Sequence, residues 1–211
     1  LIVINAGYSE IFIPFICSTN ISILYPLIFI PIGILGATAT FNFLAGFNGL
    51  EASQGIIIIS ALSAISIITG TLWLGIVGGC MVAALFAFLI YNKYPAKIFP
   101  GDVLTYPVGG LIAIMAILGN YELIAIFIFI PYIIETGLKL RGKLKKSSFG
   151  KPKKDGSLVN QYNKFYGLEH MAINIISKLK KSRKAYEWEV VMLINFIQLI
   201  IIALAFIIFI F

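Results

Sequence analysis

The stretch Ile56–Tyr91, with the sequence IIIISALSAISIITGTLWLGIVGGCMVAALFAFLIY, is too long to cross a membrane as one helix. At 1.5 Å per residue it would extend about 54 Å, whereas the hydrocarbon core of a bilayer is about 30 Å thick. Glycines cluster near its middle, at Gly70, Gly75, Gly78 and Gly79. We therefore predict two spans that are joined by a tight turn around Thr69–Leu74.

Apolar runs on both sides of this stretch predict four further spans, each near the length that a crossing requires. They are Ile23–Leu44, Val103–Leu118, Glu122–Leu138 and Val190–Phe211. The apolar stretch that starts at Leu1 is too short to span, so we expect a chain truncated inside a transmembrane helix. The predicted fold is an all-α, polytopic transmembrane helix bundle with six full spans and a partial N-terminal span, forming one membrane-embedded domain over residues 1–211.

The composition indicates the same class of protein. Hydrophobic residues make up 60% of the chain and the mean hydropathy is +0.99, which is too apolar for a soluble domain of this length. The two cysteines, Cys17 and Cys80, stand far apart without a metal-like spacing. Neither a disulfide framework nor a zinc site is therefore predicted.

The charged residues predict the orientation of the spans. All sixteen Lys and Arg residues lie between Lys93 and Lys184, and fourteen of them fall in the loop 139–188. Because basic loops are retained on the cytoplasmic side, we expect this loop and the loop with Lys93 and Lys97 to be cytoplasmic. Counting spans backwards places the turn 42–55 on the same side. We expect the basic loop to contact anionic lipid headgroups and not nucleic acid.

The first polar constellation is Asn42–Glu51, with the sequence NFLAGFNGLE. Its two amides and its carboxylate can coordinate a cation or hydrogen-bond a nucleotide base, and Gly46 and Gly49 permit close backbone approach to a ligand. The alternative is a simple helix end, with Ser53 in the first turn of the next helix. Asn42 favours the functional interpretation, since an amide in an apolar span is costly without a partner.

The second constellation is Phe99–Leu104, with the sequence FPGDVL. Asp102 stands immediately before a predicted span. It can cap the helix, because a carboxylate there accepts from free amides and matches the positive end of the helix dipole. It is also placed to hold Mg²⁺, which takes oxygen ligands and shares them with substrate phosphates. Both interpretations stay open on the spacing alone.

Together, these segments resemble the polyprenyl-phosphate N-acetylhexosamine-1-phosphate transferase family, which is glycosyltransferase family 4. Asn42–Glu51 is similar to the sequence NILAGINGLE of its archaeal and eukaryotic N-acetylglucosamine branch, and FPGD is similar to its second motif. The resemblance covers most of the chain in order and spacing. Two departures are Ala39, where the branch often has Asn, and the family's upstream aspartate-rich motif, which has no counterpart here.

The resemblance implies roles for individual residues. Asn42 and Asp102 would hold the catalytic Mg²⁺, with Mn²⁺ as an alternative ion, and Asp102 would be a catalytic residue. The uridine pocket would be lined or supported by Gly46, Asn48 and Glu51.

The basic loop contains a predicted amphipathic helix, Tyr166–Lys181, that we expect to lie on the membrane surface. Its apolar stripe consists of Leu168, Ala172, Ile175, Ile176 and Leu179. His170 projects opposite this stripe, so we expect it to be a surface residue. The segment YGLEH that ends at His170 resembles the archaeal form of the family's last cytoplasmic motif, which implies a catalytic role near the sugar and diphosphate. Lys153 and Lys154 occupy a place comparable to the eukaryotic Arg-His-Arg cluster, which implies substrate binding.

The implied reaction is transfer of N-acetylglucosamine 1-phosphate from UDP-GlcNAc to a polyprenyl (dolichyl) phosphate, giving GlcNAc-diphosphate-lipid and UMP. This is the first step of lipid-linked oligosaccharide assembly for protein glycosylation. One alternative is another sugar, such as phospho-N-acetylmuramoyl-pentapeptide. An alternative of another class is a membrane transporter, whose polar residues would lie near the bilayer midplane. We expect an archaeal plasma membrane protein with a cytoplasmic active site. The sequence leaves open whether it forms a homodimer and whether the isolated chain is active.

Overall fold

The structure is a computed structural model that describes residues 10–13, 16–20 and 25–210. Eight α helices occur in this part of the chain: α1 (Ile30–Phe43), α2 (Leu50–Ile68), α3 (Leu72–Asn92), α4 (Gly101–Gly119), α5 (Glu122–Ile128), α6 (Ile130–Arg141), α7 (Leu168–Leu179) and α8 (Glu187–Phe209). A π-helical turn, Tyr25–Phe29, leads into α1. Strands β1 (Glu10–Ile13) and β2 (Ile16–Asn20) pair antiparallel, and so do β3 (Lys151–Pro152) and β4 (Leu158–Val159).

Six spans result when the broken pair α5–α6 is counted as one. The helices Tyr25–Phe43, α2, α3, α4 and α8 are each long and apolar enough to cross a membrane, and α5 and α6 meet at an angle of 59°. This confirms the predicted all-α polytopic bundle. The predicted partial span begins at Leu1, and residues 1–9 lie outside the described part of the chain.

The turn that divides the long apolar stretch is confirmed, and it is shorter than predicted. Helix α2 ends at Ile68 and α3 begins at Leu72. Gly70 has a φ of 86°, a backbone conformation that residues with a side chain rarely adopt. The returning helix packs closely on α2, since a Cβ at Gly78 would lie 2.1 Å from Ser63 Oγ. The glycine cluster therefore serves both the turn and the contact between the two helices.

The bend between α5 and α6 was not predicted, and Pro131 explains it. Proline lacks an N–H and its ring clashes with the carbonyl four residues earlier, so a helix breaks there. At the break the Tyr132 N–H bonds to the carbonyl of Phe129, which leaves the carbonyl of Ile128 free. That carbonyl accepts a hydrogen bond from Gln198 Nε2 on α8 at 2.9 Å. Tyr132 fills the bend and stacks on Phe129, with ring centroids 4.5 Å apart. The break is thus satisfied inside the bundle, as a membrane requires.

Helix α7 forms as predicted, but its buried face is different. The predicted stripe residues Ile175 and Leu179 are 39% and 79% exposed, whereas Glu169 and His170 are fully buried. The face that enters the protein core also carries Ala172, Ile173 and Ile176. This happens because α7 packs against α6 and α8. The apolar period alone could not reveal that docking.

Candidate functional site

The two motif turns meet at one end of the bundle. Asn42 lies in the last turn of α1, and its Oδ1 accepts a hydrogen bond from Thr105 Oγ1 at 2.9 Å. Thr105 lies one helical turn after Asp102 on α4. Asp102 is exposed and has no side-chain hydrogen bond to the described residues, so the structure does not use it as a helix cap. Its carboxylate is available to a ligand at the same end as Asn42.

The loop between α1 and α2 is folded around a buried carboxylate. Gly46 donates its backbone N–H to Glu51 Oε1 at 2.6 Å, and it adopts a φ of 132°. Glu51 is only 5% exposed, and its other oxygen has no hydrogen-bond partner among the described residues. Gly46 and Glu51, two of the three predicted pocket residues, therefore shape the loop. Glu51 retains one oxygen that is free to accept a hydrogen bond.

Two further polar residues hold this loop, and the sequence interpretation missed both. Asn92, at the end of α3, accepts from Gly49 N–H at 3.1 Å and donates to the carbonyl of Ile98 at 2.9 Å. Glu187, at the start of α8, accepts from Asn48 N–H at 2.6 Å. The signal was present in the sequence, since each is a polar residue at the boundary of an apolar run. Through these bonds the polar loops converge at one end, as predicted.

A cleft of about 370 Å³ opens beside Asn42. Its lining combines the end of α1 with the end of α6 and the segment that follows it: Asn42, Phe43, Ala45, Lys139, Leu144, Lys145, Lys146, Ser147 and Phe149. Of the predicted site residues, only Asn42 lines this cleft. Lys153 and Lys154 lie in the exposed turn between β3 and β4, and their side chains make no hydrogen bond or ion pair with the described residues.

His170 is fully buried, which corrects the expectation of a surface histidine. Its Nδ1 accepts from Tyr166 N–H at 3.3 Å, and its carbonyl accepts from Asn160 Nδ2 at 3.0 Å. Burial lowers the pKa of the imidazole, which favours the neutral form. The ring lies 6.1 Å from that of Tyr162, centroid to centroid. His170 therefore sits behind the cleft wall and anchors the start of α7.

A buried pair of carboxylates, Glu135 and Glu169, lies next to His170 and was also missed. Glu135 Oε2 accepts the N–H of Leu168 at 2.6 Å, and its Oε1 lies 3.5 Å from Lys139 Nζ. Neither oxygen of Glu169 has a hydrogen-bond partner in the described part of the chain. Burial and the neighbouring Glu135 raise the pKa of Glu169 to about 8. The sequence contained a signal for this pair, because Glu135 is an acid within the otherwise apolar first part of α6.

The donors near the motif turns fit a magnesium ion in part. Among the described residues no group of three His, Cys, Asp or Glu side chains could hold a metal. Asn42 and Asp102 offer oxygen atoms, one of them exposed and free of other partners. Mg²⁺ is commonly bound by one or two carboxylates, water and substrate phosphates. The available oxygen donors suit that ion and not a softer one.

Comparison with known proteins agrees with these motifs. The family model described as glycosyl transferase family 4 matches residues 1–120. A protein of Saccharolobus solfataricus that carries the name UDP-N-acetylglucosamine--dolichyl-phosphate N-acetylglucosaminephosphotransferase is 44% identical over 160 residues, covering 75% of this chain and 50% of that protein. A protein of Sulfolobus acidocaldarius with the same name is 36% identical over 207 residues, covering 97% of this chain and 61% of its own.

A bacterial relative is also similar. The phospho-N-acetylmuramoyl-pentapeptide-transferase of Halalkalibacterium halodurans is 34% identical over 151 residues, which cover 66% of this chain and 46% of that protein. The chain thus spans between 46% and 61% of the length of these three relatives.

Proposed function

Because the chain belongs to glycosyl transferase family 4, we propose that it transfers N-acetylglucosamine 1-phosphate from UDP-GlcNAc to a polyprenyl (dolichyl) phosphate. The products are GlcNAc-diphosphate-lipid and UMP. The observation that carries the proposal is the hydrogen bond of 2.9 Å between Asn42 and Thr105, which joins the first motif to the helix that bears Asp102. Phosphoryl transfer depends on such alignment of charged groups more than on covalent help from the protein.

In this proposal, Asn42 and Asp102 hold Mg²⁺, which neutralises phosphate charge when bound. Asp102 acts through its exposed carboxylate, and Thr105 orients the amide of Asn42. Gly46, Asn48 and Glu51 form the uridine pocket. The free Glu51 oxygen is an acceptor for an N–H of the base, and the left-handed loop glycines allow the backbone to approach it.

His170, which the family resemblance implied to be catalytic, enters the proposal as a positioning residue. Its ring is fully buried and does not line the cleft. It accepts a backbone N–H as a neutral imidazole, and so fixes the segment that leads into α7. Lys153 and Lys154 remain proposed substrate contacts, and the feature that supports this role is their exposed positive charge.

The proposed location is the cytoplasmic face of an archaeal plasma membrane. The motif turns share one end of the bundle with the basic loop, and basic loops are retained in the cytoplasm. The placement of Asn42 and Asp102 at helix ends, away from the middle of a span, favours a transferase over a transporter. The bacterial relative supports phospho-N-acetylmuramoyl-pentapeptide as the second candidate sugar substrate.

The test uses membranes that contain the natural protein of which this chain is part. It measures the transfer of radiolabelled GlcNAc 1-phosphate into lipid. We expect transfer from UDP-GlcNAc, with release of UMP, and no transfer by Asp102→Ala at equal protein level. Asp155→Asn is the control, because Asp155 lies in the basic loop and pairs with Lys184. Full turnover by Asp102→Ala would refute the metal role, and transfer only from the muramoyl donor would select the second candidate.

A further inference from the structure

A chain of hydrogen-bonded side chains runs through the interior of the bundle, close to the motif turns. Gln54 lies on α2, about one helical turn after Glu51. Gln54 Nε2 donates to Asn195 Oδ1 on α8 at 2.9 Å, and Gln54 Oε1 accepts from the hydroxyl of Tyr132 on α6 at 3.1 Å. Gln54 and Tyr132 are each only 1% exposed. One buried amide therefore connects three helices.

Asn195 continues this chain to the loop between α1 and α2. Asn195 Nδ2 donates to Ser53 Oγ at 2.9 Å, and the hydroxyl of Ser53 donates to the carbonyl of Gly49 at 2.6 Å. The N–H of Gly49 is bonded to Asn92, as described above. The carbonyl and the N–H of Gly49, at the end of the loop, are therefore both held by side chains.

Tyr132 continues the chain in the other direction, to the broken helix and to α1. Its ring lies on Phe129 at the break and also stacks on Phe41, with centroids 5.3 Å apart and an angle of 12° between the planes. Phe41 is buried and immediately precedes Asn42. The chain of contacts thus extends from the break between α5 and α6 to both ends of the loop between α1 and α2.

Stability alone gives a weak reason for this network. A buried amide among apolar helices is costly, and hydrogen bonds between membrane helices add little to stability. Each side-chain oxygen and nitrogen of Gln54, Tyr132 and Asn195 has a partner. A buried network that is fully satisfied rigidifies its surroundings and favours one arrangement of them.

We propose that Gln54 is a positioning residue for the nucleotide substrate: with Tyr132 and Asn195 it fixes the first turn of α2, so that the free oxygen of Glu51 faces the base. This role rests on the proposed function, in which Glu51 belongs to the uridine pocket. Gln54 does not line the cleft, and it acts through Glu51 and Gly49. A small displacement of a positioned group is enough to weaken its contact with a substrate.

The first experiment measures transfer kinetics of the natural protein of which this chain is part, purified in nanodiscs. Tyr132→Phe keeps the stacked ring and removes the hydroxyl, and Gln54→Met keeps the shape of the side chain and removes its hydrogen bonds. For each we expect the KM for UDP-GlcNAc to rise about tenfold, with kcat within about threefold and a melting temperature within about 4 °C of the unchanged protein.

This division between KM and kcat separates positioning from a structural role. A variant that only unfolds in part has fewer active molecules, so it would lower the apparent kcat and leave the KM unchanged. That result for both Tyr132→Phe and Gln54→Met would refute the positioning role.

Tyr121→Phe is the matched control. Tyr121 is buried as well, and its hydroxyl bonds to Ser66 on α2 at 2.7 Å, at the opposite end of that helix from Gln54. We expect its KM to stay within about twofold of the unchanged protein. An equal rise of the KM in Tyr121→Phe and Tyr132→Phe would contradict the proposal, because the effect would then not depend on the place of the bond.

The double variant Gln54→Met, Tyr132→Phe tests the bond itself. Both changes break the same hydrogen bond, so we expect the double variant to have the KM of Gln54→Met alone. Effects that multiply to about a hundredfold would show that the two side chains act independently, which is incompatible with the proposed chain.

The second experiment needs no substrate and measures hydrogen exchange of the backbone amides of residues 44–49. We expect exchange about fivefold faster in Gln54→Met and no change in Tyr121→Phe. Unchanged exchange in Gln54→Met would overturn the proposal, since the network would then not hold the loop. If the natural protein transfers no GlcNAc 1-phosphate and still shows this difference in exchange, the proposed function alone is refuted.

Discussion

Thr105 donates its hydroxyl hydrogen to the side-chain oxygen of Asn42 across 2.9 Å, and this bond joins the end of α1 to the start of α4. Thr105 is buried, with 1% of its surface exposed. The bond fixes the direction of an amide that we propose as a metal ligand.

Replacement Thr105→Val tests that relationship. We expect a loss of about 1 kcal/mol in the free energy of unfolding, because one buried hydrogen bond is removed without a change of shape. Transfer should require a several-fold higher Mg²⁺ concentration for half-maximal rate, measured by titration of the metal. Thr40→Val is the control, since Thr40 bonds only to carbonyls of its own helix. An unchanged Mg²⁺ dependence in Thr105→Val would contradict the orienting role.

Asn92→Ala should disrupt both motif turns. Asn92 is fully buried, and its loss leaves the N–H of Gly49 and the carbonyl of Ile98 without their partner. We expect destabilisation of about 2–3 kcal/mol, measured by thermal unfolding in detergent, together with reduced affinity for UDP. Asn163→Ala, at an exposed position, should change neither quantity. A stable Asn92→Ala protein with normal UDP binding would show that this amide does not hold the loop.

Two neighbouring glycines of α4 should respond in opposite ways to alanine. A Cβ at Gly109 would lie 2.7 Å from the carbonyl oxygen of Ala37 and 2.8 Å from the Cα of Thr38, both backbone atoms of α1. We expect Gly109→Ala to force the two helices apart, at a cost of about 1–3 kcal/mol, and to lower the transfer rate. Gly110→Ala would meet only Thr38 Oγ1 at 3.7 Å, so it should be neutral or slightly stabilising. Equal effects in unfolding experiments would refute the close packing.

The buried Glu169 predicts how stability depends on pH. Its pKa in the folded protein, about 8, is raised above the ordinary glutamate value of 4.5, so the folded state keeps a proton that the unfolded state releases. The contribution of Glu169 to stability is therefore complete below about pH 4.5 and is lost as the pH rises through about 8. Burial raises this pKa most, the neighbouring Glu135 raises it further, and Lys139 opposes the shift.

Glu169→Gln should remove that part of the pH dependence. We expect the melting temperature of the variant, relative to the unchanged protein, to increase between pH 5 and pH 8.5, by an amount equivalent to a few kcal/mol. Asp155→Asn is the control because Lys184 lowers the pKa of Asp155, so this group does not titrate in that range. Parallel melting curves across the range would contradict a protonated Glu169.

The spans could be predicted from the sequence because hydrocarbon thickness dictates their length, and the turn at Gly70 followed from the excess length of one apolar run. The bend at Phe129 was also encoded, by Pro131, but proline is tolerated in straight spans as well. The motif residues Asn42 and Asp102 were identified by chemistry and by resemblance. What they contact could not be read from the sequence.

The basic loop was the least predictable part. The helical period of α7 placed His170 on the surface, whereas docking on α6 buries it beside Glu135 and Glu169. Among many similar lysines, only the folded loop distinguishes Lys139, Lys145 and Lys146 at the cleft from Lys153 and Lys154 in a hairpin turn. Charge counts carry no such positional information.

The amide of Asn92 bonds with one end to Gly49 and with the other to Ile98. Because the rigid planar amide of Asn92 bonds to both segments, a ligand that immobilises the segment of Gly49 also restricts the motion of the segment of Ile98. The entropy lost by ordering is then shared between two successive binding events, which makes the later one more favourable. We accordingly expect ligands that bind at these two segments to show positive cooperativity, measured as tighter binding of either one when the other is present.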